Sequence, residues 1–349
     1  MERPILKEGD PFGTHRVLEP KGVLPQPALR VDNDFSRLFC GELLLHVDKL
    51  NVDAASFRQM IDARGRDDVA DAVLETVAAR GKQHNPVTGS GGMLLGRVAQ
   101  FDPRRSDAAS LAVGMKIASL VSLSLTPLRI DRITGVAHDS AQFDVEGEAV
   151  LFASAPYAKL PDDLPERLAL AALDVAGAAP QVARLVRPGH VVAILGAGGK
   201  SGILCAAEAR RTGGNTAFIV GVESSSSAAA ELSALGLCDA VLEHDGRDAV
   251  GVRDGFLRAT EGREADVTLS CVNVTDAEMS AILITRDRGC AYFFAMSTSF
   301  TKCALGAEGV GKDINLLMGN GYVKDNAEST LSLLRASPSV LALFEKRYG

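Results

Sequence analysis

An unbroken apolar run, Val191 to Leu195, ends in Gly196-Ala197-Gly198-Gly199-Lys200-Ser201-Gly202, and a helix-like segment from Ile203 to Arg211 follows. This is a buried strand, a tight glycine turn and a returning helix. Gly196 permits the turn, Gly199 lets a ligand approach the backbone, and Gly202 lets the helix lie close to the strand. The start of such a helix offers unpaired N–H groups to phosphate oxygens. The layout is that of a dinucleotide site, with the other reading a plain strand–helix connection. The Gly199-Lys200-Ser201 triplet also invites comparison with the phosphate loop of an NTPase. That motif needs a glycine five residues before the Gly-Lys pair, where this chain has Ile194. Lys200 is then a cation near phosphate or a solvated side chain.

The neighbouring sequence extends the pattern. A second β run, Thr216 to Val222, ends at Glu223, followed by Ser224 to Ser227. An acid at the end of the second strand accepts the ribose hydroxyls of NAD and repels the extra phosphate of NADP, and no arginine follows directly. Its plainer role is an acid at a helix start capped by serine. Further β runs at Asp266–Val274 and Gly289–Met296 alternate with helical patterns at Ala228–Leu235 and Asp276–Leu283. Such alternation predicts a doubly wound parallel sheet. Ligands of these sheets sit beyond the carboxyl ends of the strands. Gly196, Gly198, Gly199, Lys200, Ser201, Gly202, Glu223, Ser224, Cys271, Val272 and Asn273 are therefore the candidate cofactor residues, with Ser297 to Phe300 nearby.

The 349 residues suggest two domains, and 46% hydrophobic against 23% charged residues supports a large core. The N-terminal part reads as short strands at Glu42–Val47, Leu94–Val98, Lys116–Val121 and Ala149–Phe152, with an amphipathic helix from Asp67 to Ala79. That is an antiparallel β-rich domain. The expected division is 1–160, 161–310 and a C-terminal segment, 311–349, returning to pack on the first domain. Polar or proline-bearing loops at Lys21–Pro27, Asn85–Met93 and Ser124–Arg129 stand out. A net charge of −7 without a basic cluster argues against nucleic acid. No run resembles a membrane span or a signal peptide, so the expectation is a soluble cytoplasmic protein. The six cysteines are scattered, without a Cys-x-x-Cys, which argues against a disulfide framework or a structural zinc.

The order of parts resembles the medium-chain dehydrogenase/reductase superfamily, a GroES-like β domain joined to a Rossmann domain. Val186-Arg187-Pro188-Gly189-His190-Val191-Val192 leads into the glycine turn, and Val113-Gly114-Met115-Lys116-Ile117 resembles a turn of the first domain. Within it, the chain is similar to the L-erythro-3,5-diaminohexanoate dehydrogenase family of bacterial lysine fermentation. The matching segments include Gly13–Val17, Glu19–Ala28, Leu50–Phe57, Asn85–Leu94, Leu120–Ile130, Leu168–Gly177 and Ser299–Asp313. The resemblance implies NAD-dependent oxidative deamination of (3S,5S)-3,5-diaminohexanoate to 5-amino-3-oxohexanoate and ammonia, and a homodimer. The alternatives are a zinc-independent quinone or enoyl reductase using NAD(P)H and a non-catalytic dinucleotide sensor.

The positions matched to the zinc ligands of metal-dependent members are Asp53, Gly92 and Ala171, so no catalytic metal is expected. A diamino acid needs a proton acceptor for its reacting ammonium and contacts for its second ammonium and its carboxylate. Asp53 is the first candidate acceptor, its other reading being an Asx turn or helix cap. Asp174, in an apolar stretch, is the second. Glu308 and Asp313 are candidates for the second ammonium. Arg129, Lys302 and Thr298 are candidates for the carboxylate, by chemistry and loop position.

Overall fold

The computed structural model describes residues 2–86, 89–319 and 321–349, with the side chains of Ala54 and Ala55 outside the description. Of the Asn85–Met93 loop, Val87 and Thr88 therefore lie outside the described residues. The chain divides into two compact units, Met1–Asp174 and Val175–Gly349. The division falls at Asp174, where the sequence suggested 160, and Glu166 of α3 (below) pairs with Lys116 of the first unit.

In the first unit, β1 (Val17–Glu19) pairs antiparallel with β2 (Arg30–Val31). The main sheet contains β3 (Leu43–Asn51), β4 (Met93–Phe101), β5 (Lys116–Ser119), β6 (Leu128–Ala137), β7 (Gln142–Leu151) and β8 (Tyr157–Lys159). Its order is β6-β7-β3-β4-β5-β8, antiparallel throughout. Helices α1 (Ala54–Arg64) and α2 (Val69–Arg80) lie between β3 and β4 in the chain, and α3 (Glu166–Leu173) ends the unit. Strand alternation places Leu43, Leu45 and Val47 in the core. An irregularity between Val47 and Lys49 shifts the phase, so that Leu50 and Val52 face inward instead. Beside this core the Arg16 side chain is fully buried. Its guanidinium donates to both oxygens of Glu42, at 2.8 and 2.7 Å, and to the carbonyl of Asp34 at 2.8 Å. Paired and bonded in this way, a buried charge is tolerated.

The second unit opens with α4 (Ala178–Leu185) and β9 (Val191–Leu195). Then come α5 (Lys200–Gly213), β10 (Phe218–Glu223), α6 (Ser226–Leu235), β11 (Ala240–Glu243), α7 (Ala249–Ala259) and β12 (Ala265–Ser270). It continues with α8 (Glu278–Ile284), β13 (Thr285–Phe293), α9 (Phe300–Gly309), β14 (Asn315–Met318), α10 (Asn326–Ala336) and α11 (Pro338–Tyr348). The sheet is parallel, in the order β11-β10-β9-β12-β13-β14. All five residues of β9 are buried, as a strand covered on both faces requires. The segment 311–349 groups with the second unit. It supplies the edge strand β14, and α10 and α11 pack on α5, so it completes the parallel unit. No single described helix is long and apolar enough to cross a membrane.

Candidate active site

The glycine turn between β9 and α5 has the geometry its sequence demands. Gly196 has φ +72°, and a Cβ there would stand 3.1 Å from the Cys271 carbonyl group and 3.2 Å from the Val272 nitrogen. A Cβ at Gly202 would fall 2.2 Å from the Gly196 oxygen, so the helix can approach the turn only without a side chain. Gly199 caps α5 without any side-chain bond to the first-turn amides. A cavity of about 260 Å³ opens here, beyond the carboxyl ends of the central strands and beside the point where strand order reverses. Its lining includes seven predicted residues: Gly196, Gly199, Glu223, Ser224, Cys271, Val272 and Asn273.

The remaining predicted cofactor residues shape the turn from behind. The Gly198 N–H donates to Glu223 Oε2 at 3.0 Å. Ser201 is buried next to the Cys271 thiol. The Lys200 ammonium lies 5.9 Å from the centre of the Tyr348 ring. Glu223 Oε1 accepts from the amides of Ser224 and Ser225, at 2.9 and 3.1 Å. Glu223 thus holds the start of the next segment, its plainer reading, and also lines the cavity.

Sequence reasoning missed His244, Asp245, Gly246, Arg247 and Val274, which also line the cavity. The signal for the first four was a three-residue apolar run, Ala240 to Leu242, followed by an Asp-Gly turn pair. It also missed α11. Arg347 donates to the Gly198 carbonyl at 2.8 Å and pairs with Glu231, tying the last helix to the glycine turn. A nicotinamide dinucleotide fits these residues. The turn has no side chain where a diphosphate would lie, the helix start is open, and a carboxylate stands at the end of β10.

In the first unit, Asp53 caps α1. Its Oδ1 accepts from the Ser56 amide at 2.8 Å, while Oδ2 is buried without a hydrogen-bond partner. Gly92 lies against the same strand end, where a Cβ would be 2.1 Å from the Asn51 oxygen. The three positions matched to zinc ligands thus hold one carboxylate. Among the described residues no group of three His, Cys, Asp or Glu side chains could hold a metal ion. The residues present do not fit a catalytic zinc.

The other predicted substrate residues fare differently. Asp174 is not inside an apolar helix. Helix α3 ends at Leu173, and Asp174 is a half-buried residue at its C-terminus. Arg129 is not in a loop but in β6, where it faces Glu148 across the sheet and pairs with it at 2.6 Å. A carboxylate partner already occupies that guanidinium, and the position is several residues along the sheet from the Asn51 end. Asp313 precedes β14, and its carbonyl accepts from Arg288 in the first half of β13. It therefore lies at the amino edge of the parallel sheet, opposite the cavity. Glu308 is exposed at the far end of α9, about 12 Å along the helix from its first residue. Thr298 and Lys302 do lie at the carboxyl edge, just after β13 and in the first turn of α9, with Lys302 paired to Asp276.

An antiparallel β-rich unit is followed by a six-stranded parallel unit with a glycine turn, the fold of two-domain nucleotide-binding proteins. Solved structures share this fold at low identity. One is AibC, with TM-score 0.55 and 20% identity over 86% of this chain and 81% of that one. The mycobacterial Rv1454c complexed with NADPH gives 0.56 and 16%, covering 86% and 81%. An alcohol dehydrogenase of Thermotoga maritima gives 0.54 and 15%, covering 86% and 84%.

Sequence comparison is more specific. Residues 15–161 match the family model of the L-erythro-3,5-diaminohexanoate dehydrogenase N-terminal domain. The L-erythro-3,5-diaminohexanoate dehydrogenase of Acetoanaerobium sticklandii is 50% identical over 343 residues, 98% of this chain and 99% of the relative. That of Fusobacterium nucleatum is 48% identical over 345 residues, 98% and 100%. The chain belongs to the L-erythro-3,5-diaminohexanoate dehydrogenase family, and it is an oxidoreductase with a nicotinamide dinucleotide site.

Proposed function

We propose that this chain oxidatively deaminates L-erythro-3,5-diaminohexanoate with NAD, giving 5-amino-3-oxohexanoate and ammonia, as a homodimer and as a step of lysine fermentation. The observation that carries the reading is identity of 50% and 48%, over nearly the whole chain, to two relatives bearing that name. Glu223 supports NAD over NADP, because a carboxylate facing the cavity disfavours a second phosphate there.

When bound, the nicotinamide supplies a hydride acceptor. The chain's own residues must do the rest. A C3 ammonium cannot release hydride until it loses a proton, and Asp53 Oδ2 is a buried acceptor positioned by the cap that Oδ1 makes. The iminium that follows takes up water at C3 and expels ammonia. In balance, one ammonium, one water and one oxidised dinucleotide give one ketone, one ammonium ion, one reduced dinucleotide and one proton. The rate rises with pH through the ionisation that frees the C3 amine.

The test is an absorbance assay of reduced dinucleotide. NADH accumulates with the diamino acid, and Asp53→Asn lowers kcat by about two orders of magnitude or more while dinucleotide affinity is unchanged. Consumption of NADH with an enone and none produced from the diamine would establish the quinone or enoyl reductase reading. Tight dinucleotide binding without any turnover would establish a sensor. Light scattering decides the subunit number.

A further inference from the structure

Seven buried side-chain atoms among the described residues have no hydrogen-bond partner, and five belong to Asn51, Asp53, Gln83, His84 and Gln142. The chain gathers these five at one end of the first unit. Leu50 and Val52 enter the core, so Asn51 and Asp53 alternate to the opposite side of the strand. Gln142 is the cross-strand partner of Asn51 and donates to its Oδ1 at 3.2 Å. Gly92 presses on Asn51 and Val52, and Gly91 on the backbone of Gln83, where a Cβ would be 2.3 Å from the Gln83 oxygen. Those two contacts bring Lys82–Asn85 against the end of β3. Asn85 then reaches Gln59 of α1 at 2.9 Å, and the fully buried Lys82 ammonium binds the carbonyls of Pro25 and Gln26 at 2.6 and 2.9 Å.

Four of these five unpartnered atoms are acceptors, and the fifth, Asn51 Nδ2, is a donor. Asp53 Oδ2, Gln83 Oε1 and Gln142 Oε1 only accept, and His84 Nδ1 accepts in the Nε2–H tautomer. Buried acceptors without donors are disfavoured unless a ligand or water supplies hydrogens. A primary ammonium is a donor with three N–H bonds and no lone pair, whereas a ketone or carboxylate offers only more acceptors. Gln83 is 1% exposed and cannot turn to bulk water for a partner. We propose that Gln83 Oε1 and His84 Nδ1, together with Asp53 Oδ2, form a receptor for a primary alkylammonium group, which makes Gln83 and His84 substrate-specificity residues. This rests on the diamino-acid reading above and assigns it two residues that the sequence did not single out. His84 suits the task because burial, with Lys82 and Arg80 nearby, keeps its pKa below the ordinary histidine value and its ring neutral.

The experiment uses n-butylammonium as the probe, with butyrate as the control, on the whole protein with bound dinucleotide. Butylammonium should inhibit competitively with the diamine and shift the His84 ring resonances, and butyrate should do neither. Gln83→Met should raise the inhibition constant and the KM for the diamine by about tenfold or more, at unchanged dinucleotide affinity. Gln83→Glu, of the same shape but charged, should lower the inhibition constant. A structural role alone would move both variants the same way. If the inhibition constant is the same in both variants and the His84 resonances do not respond, internal water alone matches these atoms and the receptor is refuted. Oxidation of the diamine with those results leaves the proposed function standing. A His84 response in a protein that does not oxidise the diamine supports the receptor and overturns the function.

Discussion

On the proposed reading cofactor choice turns on Glu223, and the structure sets the size of the effect. A carboxylate has about four lone-pair positions. Three are committed here, to the amides of Gly198, Ser224 and Ser225 at 3.0, 2.9 and 3.1 Å. One position remains for a ribose hydroxyl, and a hydrogen bond to a charged group contributes about 1.5–3 kcal/mol. Glu223→Ala should therefore weaken NAD binding by about 10- to 150-fold. NADP faces the opposite effect. A like charge about 5 Å away costs about 3 kcal/mol at an effective dielectric of about 20, and the substitution removes that cost. Together the two changes move the preference for NAD over NADP by about 4.5–6 kcal/mol, or about 2,000- to 20,000-fold. Since Glu223 also braces the glycine turn, Glu223→Gln serves as the companion. It keeps the shape and one acceptor oxygen, and should shift the ratio in the same direction by less. Calorimetric titration of both dinucleotides into the parent and the two variants gives the ratio directly. A ratio that moves less than about fivefold in Glu223→Ala would refute the role, because that is below even one charged hydrogen bond.

Three further outcomes follow from the same contacts. Gly202→Ala puts a Cβ 2.2 Å from the Gly196 oxygen and 2.6 Å from the Ala197 Cα, both backbone atoms that cannot rotate away. It should cost about 1–3 kcal/mol in urea denaturation and weaken dinucleotide binding in the same titration. Arg16→Ala leaves Glu42 buried with His15 and the Phe39 amide but without its guanidinium, and should lower stability by about 3–5 kcal/mol, read from the urea midpoint. Burial by itself raises the Asp102 carboxyl, but bonds from the Arg104 side chain and from the amides of Arg104 and Gly41 outweigh it and hold the pKa at about 2. The folded value lies below the unfolded one, so this stabilisation is complete above about pH 4 and is lost as pH falls toward 2. Asp102→Asn should flatten that part of the acid unfolding curve, and an unchanged slope would contradict the assignment.

The parts legible in the sequence were those written in adjacent residues. The Val191–Gly202 layout gave β9, the turn and α5, and the terminal acid of β10 fell where a strand-end rule puts it. The misplaced residues share a different cause. Asp313 was chosen for its glycine-rich neighbourhood, but sequence nearness does not tell which edge of a sheet a residue reaches. Arg129 follows a proline and looked like a loop residue, yet it starts the long hairpin β6–β7, whose outer face alternates charged side chains across from Glu146 and Glu148. β14 is four residues long, too short for a period to show. The bond from Arg347 to Gly198 joins residues 149 positions apart, and no local pattern encodes it. Gln83 and His84 sit in a segment that reads as a polar connection. Only the close approach of Gly91 and Gly92 shows that it is buried.

Asp53 and Glu223, in separate units, are built on one principle. Each is a carboxylate whose orientation is set by backbone amides, Ser56 for the first and Gly198, Ser224 and Ser225 for the second. An amide at a helix start or turn fixes an anion without a mobile cation beside it. An arginine or lysine in the same place would neutralise the carboxylate and leave it attractive to nothing. Held by neutral dipoles, each keeps an acceptor position, on Asp53 Oδ2 and on Glu223 Oε2. Such a group favours donors, a hydroxyl pair or an ammonium, and rejects anions. The proposed function needs that discrimination twice, for a hydroxyl-bearing nucleotide and for a cationic amine. A cationic residue or a ligated metal at position 53 would select the opposite class of substrate.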